Sequence, residues 1–174
     1  MTYLYAGFAR SGNHWLGNIL KHYDESKFSQ THEKYRSDLN YEKAVYIKRH
    51  PAGIIESSMR AFKTTKEDID ILKRWDLCDW KEHVNSWSSA PNILIVEYES
   101  LMKDTIKEFK KILDFFEIKY IDDELKKVIE YYSVSNIKAR SEEPTPVSSW
   151  NGMNNWKNKL SPKFIKQIEE RYIK

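Results

Sequence analysis

The sequence predicts an α/β fold: a short central parallel sheet, about four to five strands, held between two layers of helices. Three observations predict it. Short β-branched and aromatic runs alternate along the chain with stretches of helical periodicity. Five glycines and five prolines in 174 residues are few loop formers, so the chain is helix-rich. Polar and cationic residues follow directly on the apolar runs, at the strand ends where open parallel sheets bind ligands.

The elements follow in order. Thr2–Ala6, Ala44–Lys48 and Asn92–Glu97 read as buried strands, and Phe28–Thr31 as a weaker fourth. Trp15, Leu16, Ile19, Leu20 and Tyr23 share a helical face, as do Ile54, Ile55, Ser58, Met59 and Phe62. Ile106, Phe109, Ile112, Leu113 and Phe116 recur at three and four, as do Ile121, Leu125, Val128, Ile129 and Tyr132. Trp75, Trp80 and Trp87 fall in a further helical region. Ser161-Pro162, a cap followed by proline at the first helical position, opens a last helix through Tyr172. Arg140 to Lys159 reads as a long ordered loop or lid. Residues 1–174 form one domain, with no repeat or linker.

Net charge is +3, from 29 basic and 26 acidic residues, too balanced for nucleic-acid binding by bulk electrostatics. The single cysteine, Cys78, excludes an internal disulfide and a Cys-rich metal site and suggests a reducing compartment. No apolar run reaches the ~18 residues of a membrane span. The N-terminus lacks the basic region of a signal peptide, so a cytoplasmic location is expected. No ligand cluster for a metal is visible.

Two segments carry chemistry. Tyr3 to Leu16 is a strand, a tight turn and a helix start, whose unpaired amides and dipole favour an anion. Gly12 allows close backbone approach, Ser11, Asn13 and His14 add donors, and Arg10 adds a fixed charge. An ordinary strand–helix turn capped by Ser11 fits the same residues. Val45 to Pro51 ends a second strand in Lys48, Arg49 and His50, and Ser57 follows Arg49 by eight residues. A guanidinium and a hydroxyl so placed suit a second phosphate; a solvated basic strand end is the plainer reading.

In this order, these segments resemble the cytosolic-type sulfotransferases that use 3′-phosphoadenosine 5′-phosphosulfate (PAPS). The family's P-K-S-G-T-T-W-L is similar to Ala9-Arg10-Ser11-Gly12-Asn13-His14-Trp15-Leu16. Its Arg-x-Pro with a serine eight residues after the arginine is similar to Arg49-His50-Pro51 and Ser57. Ile95 to Leu101 resembles its strand and Tyr-Glu turn, with Asp104 to Phe116 as the next helix. His83 to Trp87 resembles its upstream segment, and Gly152 to Lys157 its closing Gly-x(3)-Trp-Lys. The resemblance covers nearly the whole chain and implies a P-loop-like three-layer α/β/α fold.

By position, the resemblance implies that Arg10, Ser11, Gly12, Asn13 and His14 hold the 5′-phosphosulfate. Trp15, Tyr98 and Val134 would lie by the adenine, and Arg49, Ser57 and Gly152 by the 3′-phosphate. His32, in Gln30-Thr31-His32 where the family has Lys-Thr-His, would be the general base, with Glu33 or His14 as the alternatives. Arg10 would stabilise charge in the transfer. Arg10 and Gln30 each stand where the family has lysine, and Trp150-Asn151-Gly152 where it has Arg-Lys-Gly. Lys138 or Arg140 would be the substitutes for the missing cations.

The implied activity is transfer of a sulfuryl group from PAPS to a hydroxyl or amine, leaving 3′-phosphoadenosine 5′-phosphate (PAP), without a metal. The acceptor would be a small molecule, carbohydrate or peptide, and Tyr35, Tyr41 and Phe62 lie near enough along the chain to line its site. The oligomeric state stays open. Two alternatives remain: a catalytically impaired PAP/PAPS-binding protein of the same fold, and a P-loop kinase-like phosphotransferase. The absence of G-x-x-x-x-G-K-[ST] argues against the second.

Overall fold

The computed structural model describes residues 2–73, 78–133, 136 and 155–174. Four parallel strands, β1 Tyr3–Ala6, β2 Phe28–Thr31, β3 Lys43–Lys48 and β4 Ile93–Glu97, form one sheet in the order β2-β1-β3-β4. The helices are α1 Asn13–Asp24, α2 Pro51–Ala61, α3 Trp80–Ser88, α4 Tyr98–Lys103, α5 Thr105–Phe115, α6 Asp122–Tyr131, α7 Trp156–Lys159 and α8 Pro162–Tyr172. A 3-10 turn covers Ile69–Lys73. The expected α/β architecture is therefore present, with all four expected strands.

Strand alternation builds two cores. Leu4, Ala6, Ala44 and Tyr46 face one way and pack with α2, α3, α7 and α8 through Ile54, Trp87, Trp156 and Ile168. Tyr5, Val45, Ile47 and Val96 face the other way and pack with α1, α5 and α6 through Leu16, Phe109 and Leu125. Each fully buried leucine, isoleucine or phenylalanine contributes about 1.5–3 kcal/mol. These side chains hold the strand ends in fixed register, with Ala6 opposite both Thr31 and Tyr46, and Lys48 opposite Glu97.

From β1 the chain crosses to β2 on one side, and β3 then lies on the other. The switch point thus falls between β1 and β3, where a crevice opens beyond the carboxyl ends. The two chemistry-bearing segments of the sequence flank it.

Local signals account for the helix starts. Ser161 caps α8 by accepting from the Phe164 amide, and Asp79 caps α3 through Glu82. Pro51 sits in the first turn of α2, but its cap is the His50 ring, whose Nδ1 accepts from the Ala52 amide. Two expectations change. The segment after β4 is itself a helix, α4, and Asp104 then caps α5 by accepting from Lys107. The expected loop over 140–159 contains α7, whose Trp156 stacks on His50 with ring centroids 4.5 Å apart. The rest of that loop, with Lys138, Arg140, Trp150 and Gly152, lies outside the described residues, as do Trp75 and Val134. Among the described residues, no helix is long and apolar enough to cross a membrane. Nor does any group of three or more His, Cys, Asp or Glu among them suit a metal.

Candidate active site at the sheet's switch point

The loop from β1 to α1 carries two left-handed residues, Arg10 at φ 69° and Gly12 at φ 105°. Successive turns of this kind aim backbone amides into one concavity. The cap position of α1 is Gly12, not Ser11, and no side chain caps the helix. The first helical bond runs from the Leu16 amide to the Gly12 carbonyl, so the amides ahead of it are the orphan donors of the helix. Ser11 is fully buried, and its Oγ has no partner among the described residues. The loop therefore keeps its donors for a ligand.

Arg10 extends from this loop to α2. Its Nε donates to Ser57 Oγ and its Nη2 to the Ser57 carbonyl, both at 3.3 Å. Arg49, at the end of β3, donates from Nη1 to the Arg10 carbonyl at 2.8 Å and lies 4.3 Å from the centroid of the Tyr98 ring. Tyr98 in turn closes on Gly12, where a Cβ would meet its ring carbons at 3.0 Å. Arg10, Gly12, Arg49, Ser57 and Tyr98 thus form one assembly across the switch point. The sequence paired Ser57 with Arg49; in the structure Ser57 is bonded to Arg10, and Arg49 binds the loop backbone. Burial lowers the Arg10 guanidinium from its ordinary value, and the charges of Arg49 and Arg60 lower it further. Burial lowers Arg49 as well, with Arg60 adding to it and Tyr98, Glu99 and Glu56 opposing. Both remain cations.

His32 follows β2 and returns to the same loop. Asn13 has two amide hydrogens and spends them on the Gly7 and Phe8 carbonyls, at 3.0 and 3.3 Å. His32 Nδ1 lies 3.0 Å from the Gly7 carbonyl and 3.1 Å from Asn13 Nδ2. A carbonyl can only accept, so Nδ1 carries the hydrogen and donates to Gly7. The neutral ring then has its lone pair on Nε2, which accepts from the Gln30 amide at 2.7 Å. A Cβ at Gly7 would lie 2.5 Å from Asn13 Oδ1, so this junction admits only glycine.

His83 fixes His32 from below. Its Nε2 donates to the His32 carbonyl at 2.9 Å, so its Nδ1 accepts from the Tyr46 hydroxyl at 2.9 Å. His83 is fully buried, and burial raises the Tyr46 phenol well above its ordinary value, keeping it a donor. Trp87 Nε1 donates to the Glu33 carbonyl, holding the next residue. In the sequence His83 stands only within the segment that resembles the family's upstream stretch, and Gln30 only where the family has lysine. The signal available for His83 was its place on one helical face with Trp80, Val84 and Trp87, all four buried.

The remaining candidates are placed as follows. His14 is exposed on α1. Trp15 is half-buried, edge-on to Phe109 at 5.6 Å. Tyr35 and Tyr41 are half-buried and pack their rings against Trp87, and Tyr41 donates to the Pro91 carbonyl. Phe62, at the C-cap of α2, is 62% exposed.

A family model for the sulfotransferase domain matches residues 37–174, so the chain belongs to the sulfotransferase family. The match begins after His32; the β1–α1 loop and His32 are placed by geometry. Over 110 residues, 55% of this chain, it is 31% identical to Sulfotransferase 2A2 of Rattus norvegicus and 32% identical to Sulfotransferase 2A2 of Mus musculus. That match spans 39% of each relative's length. Among solved structures, mouse sulfotransferase SULT7A1 complexed with PAP superposes with a TM-score of 0.80 at 20% identity, over 97% of this chain and 81% of that one. Retinol dehydratase in complex with androsterone and inactive cofactor PAP gives 0.77 at 14% identity, over 99% and 79%. These two likenesses establish the shared fold.

Proposed function

We propose that the chain is a PAPS-dependent sulfotransferase that passes a sulfuryl group to a hydroxyl or amine acceptor, with His32 as general base. The observation that carries this reading is the pairing of two features at one switch point. One is an uncapped helix N-terminus beside buried guanidiniums. The other is an imidazole at the end of β2 whose Nε2 accepts from the Gln30 side chain. The known relatives and the PAP-bound structural neighbours support it. PAPS supplies the activated sulfuryl group and a phosphate leaving group.

The chain's residues would act as follows. His32 Nε2 takes the acceptor's proton as the acceptor oxygen or nitrogen bonds to sulfur. The bond from sulfur to the phosphate oxygen breaks, and its electron pair stays on that oxygen. Arg10 and the α1 amides stabilise the charge that develops there. Gln30 sits where the acceptor's proton must go, so the acceptor's O–H or N–H replaces the Gln30 amide on Nε2. Gly7 holds the Nδ1 hydrogen throughout and accepts more strongly as the ring becomes cationic.

A second reading has one observation in its favour: Gln30 already occupies the lone pair, as suits a nucleotide-binding protein that no longer transfers. Turnover of PAPS with a panel of alcohols, phenols, sugars and amines separates the two. The enzyme reading predicts PAP release that requires an acceptor and is lost in His32→Ala. PAP binding without release across the panel would favour the binding protein.

A further inference from the structure

We propose that Arg60, on α2, supplies to the 3′-phosphate the cation that the resembled Arg-Lys-Gly segment would have brought. The proposal rests on the nucleotide reading above.

Arg60 lies one helical turn beyond Ser57, on the same face of α2. Side chains on a helix lean toward its N-terminus, so Arg60 reaches back over the turn that bears Glu56 and Ser57. The contact is visible: Arg60 Nε lies 2.7 Å from Glu56 Oε1, as an ion pair without the alignment of a directed hydrogen bond. Arg60 Nη1 is buried and has no partner among the described residues. Ser57 is meanwhile bonded to Arg10, and the Arg60 charge acts on Arg10, so the two guanidiniums lie near the same turn of α2.

The charges do not balance. Among the described residues, Arg10, Arg49 and Arg60 act on one another, and the carboxylates that act on Arg49 are Glu56 and Glu99. These described groups carry one positive charge in excess, in a region where Arg49 is 7% and Glu56 is 3% exposed. Among the described residues, the three guanidiniums make three directed hydrogen bonds to protein: two to Ser57 and one to the Arg10 carbonyl. A guanidinium has five N–H donors, so most of the cluster's donors are left for a ligand. A dianionic phosphate monoester fits, because it brings both the missing charge and several acceptor oxygens. Glu56 holds Arg60 in place before the anion arrives.

Removing Arg60 alone would strand the buried Glu56 carboxylate and unfold the helix locally. The test therefore compares Glu56→Gln with the double variant Glu56→Gln, Arg60→Gln, each titrated with PAP and with AMP by calorimetry. PAP and AMP differ only in the 3′-phosphate. The wild type and Glu56→Gln are expected to prefer PAP. The double variant is expected to lose about 10- to 100-fold of that preference, the value of a charge-assisted hydrogen bond, while AMP affinity holds. An undiminished preference in the double variant overturns the role of Arg60 alone. A parallel loss of AMP and PAP overturns it too, by making Arg60 structural. If the wild type itself shows no preference, the nucleotide reading falls and the inference falls with it.

Discussion

Gly12→Ala probes the junction on which the site depends. Gly12 has φ 105°, which an alanine adopts at a cost of about 1–2 kcal/mol. Its new methyl group would also meet two Tyr98 ring carbons at 3.0 Å. That ring is buried and backed by the Arg49 guanidinium at 4.3 Å, so it must leave its rotamer by some tens of degrees, costing about 0.5–1.5 kcal/mol more. The sum is about 1.5–3.5 kcal/mol. For a chain of this size that lowers Tm by roughly 3–14 °C. The displaced ring takes Arg49 with it, and Arg49 holds the Arg10 carbonyl, so PAP affinity should fall as well. Differential scanning calorimetry and PAP titration read the two effects. A variant that melts within about 1 °C of the parent and binds PAP equally would refute the claim that loop, ring and guanidinium are one unit.

Further predictions follow from the same contacts. His32→Ala should lower turnover by ~10²-fold or more with PAP affinity nearly unchanged, measured by steady-state kinetics and calorimetry. His83→Ala removes the donor to the His32 carbonyl and the acceptor of the Tyr46 hydroxyl, so it should cost about 1–3 kcal/mol in urea unfolding and lower kcat more than PAP affinity. His50 gives a pH dependence. Burial lowers its pKa, with Lys157 and Lys48 adding to the shift and Glu169 and Glu97 opposing it. The folded state therefore disfavours the charged ring, and Nδ1 must stay unprotonated to cap Ala52. Its contribution is complete above the ordinary histidine pKa near ~6.5 and is lost as pH falls below it. Urea unfolding at high and low pH should show a drop in stability on acidification that is smaller in His50→Gln.

Most of the fold was legible because it depends on local pattern. The runs Tyr3–Ala6 and Lys43–Lys48 are apolar on both faces, as strands covered on both sides must be; Ile93–Glu97 reads the same way in the sequence, but it is an edge strand and leaves Ile95 exposed. Ser161 and Pro51 marked helix starts by chemistry that needs no tertiary information. The helix α4 escaped because six residues are too few for periodicity to show. In the site, position along the chain indicated which residues reach the switch point but not which of them bond to each other. The bond from Arg10 to Ser57 joins residues 47 apart, and the bond from His83 to His32 joins residues 51 apart. Gln30 was legible only as a missing lysine; its contact with His32 depends on two alternate residues leaving a strand end on the same side. Nothing in the sequence singles out Arg60: its pairing with Glu56, one turn from Ser57, shows only once α2 is formed.

In the proposed function a nucleotide with a 3′-phosphate binds across Arg10, Arg49 and Ser57. The most direct measurement is calorimetric titration of the wild-type chain with PAP, against AMP and ATP. The account predicts tight binding of PAP, weaker binding of AMP and ATP, and a preference that Arg49→Ala abolishes. Equal affinity for PAP and AMP, or none for either, would contradict it.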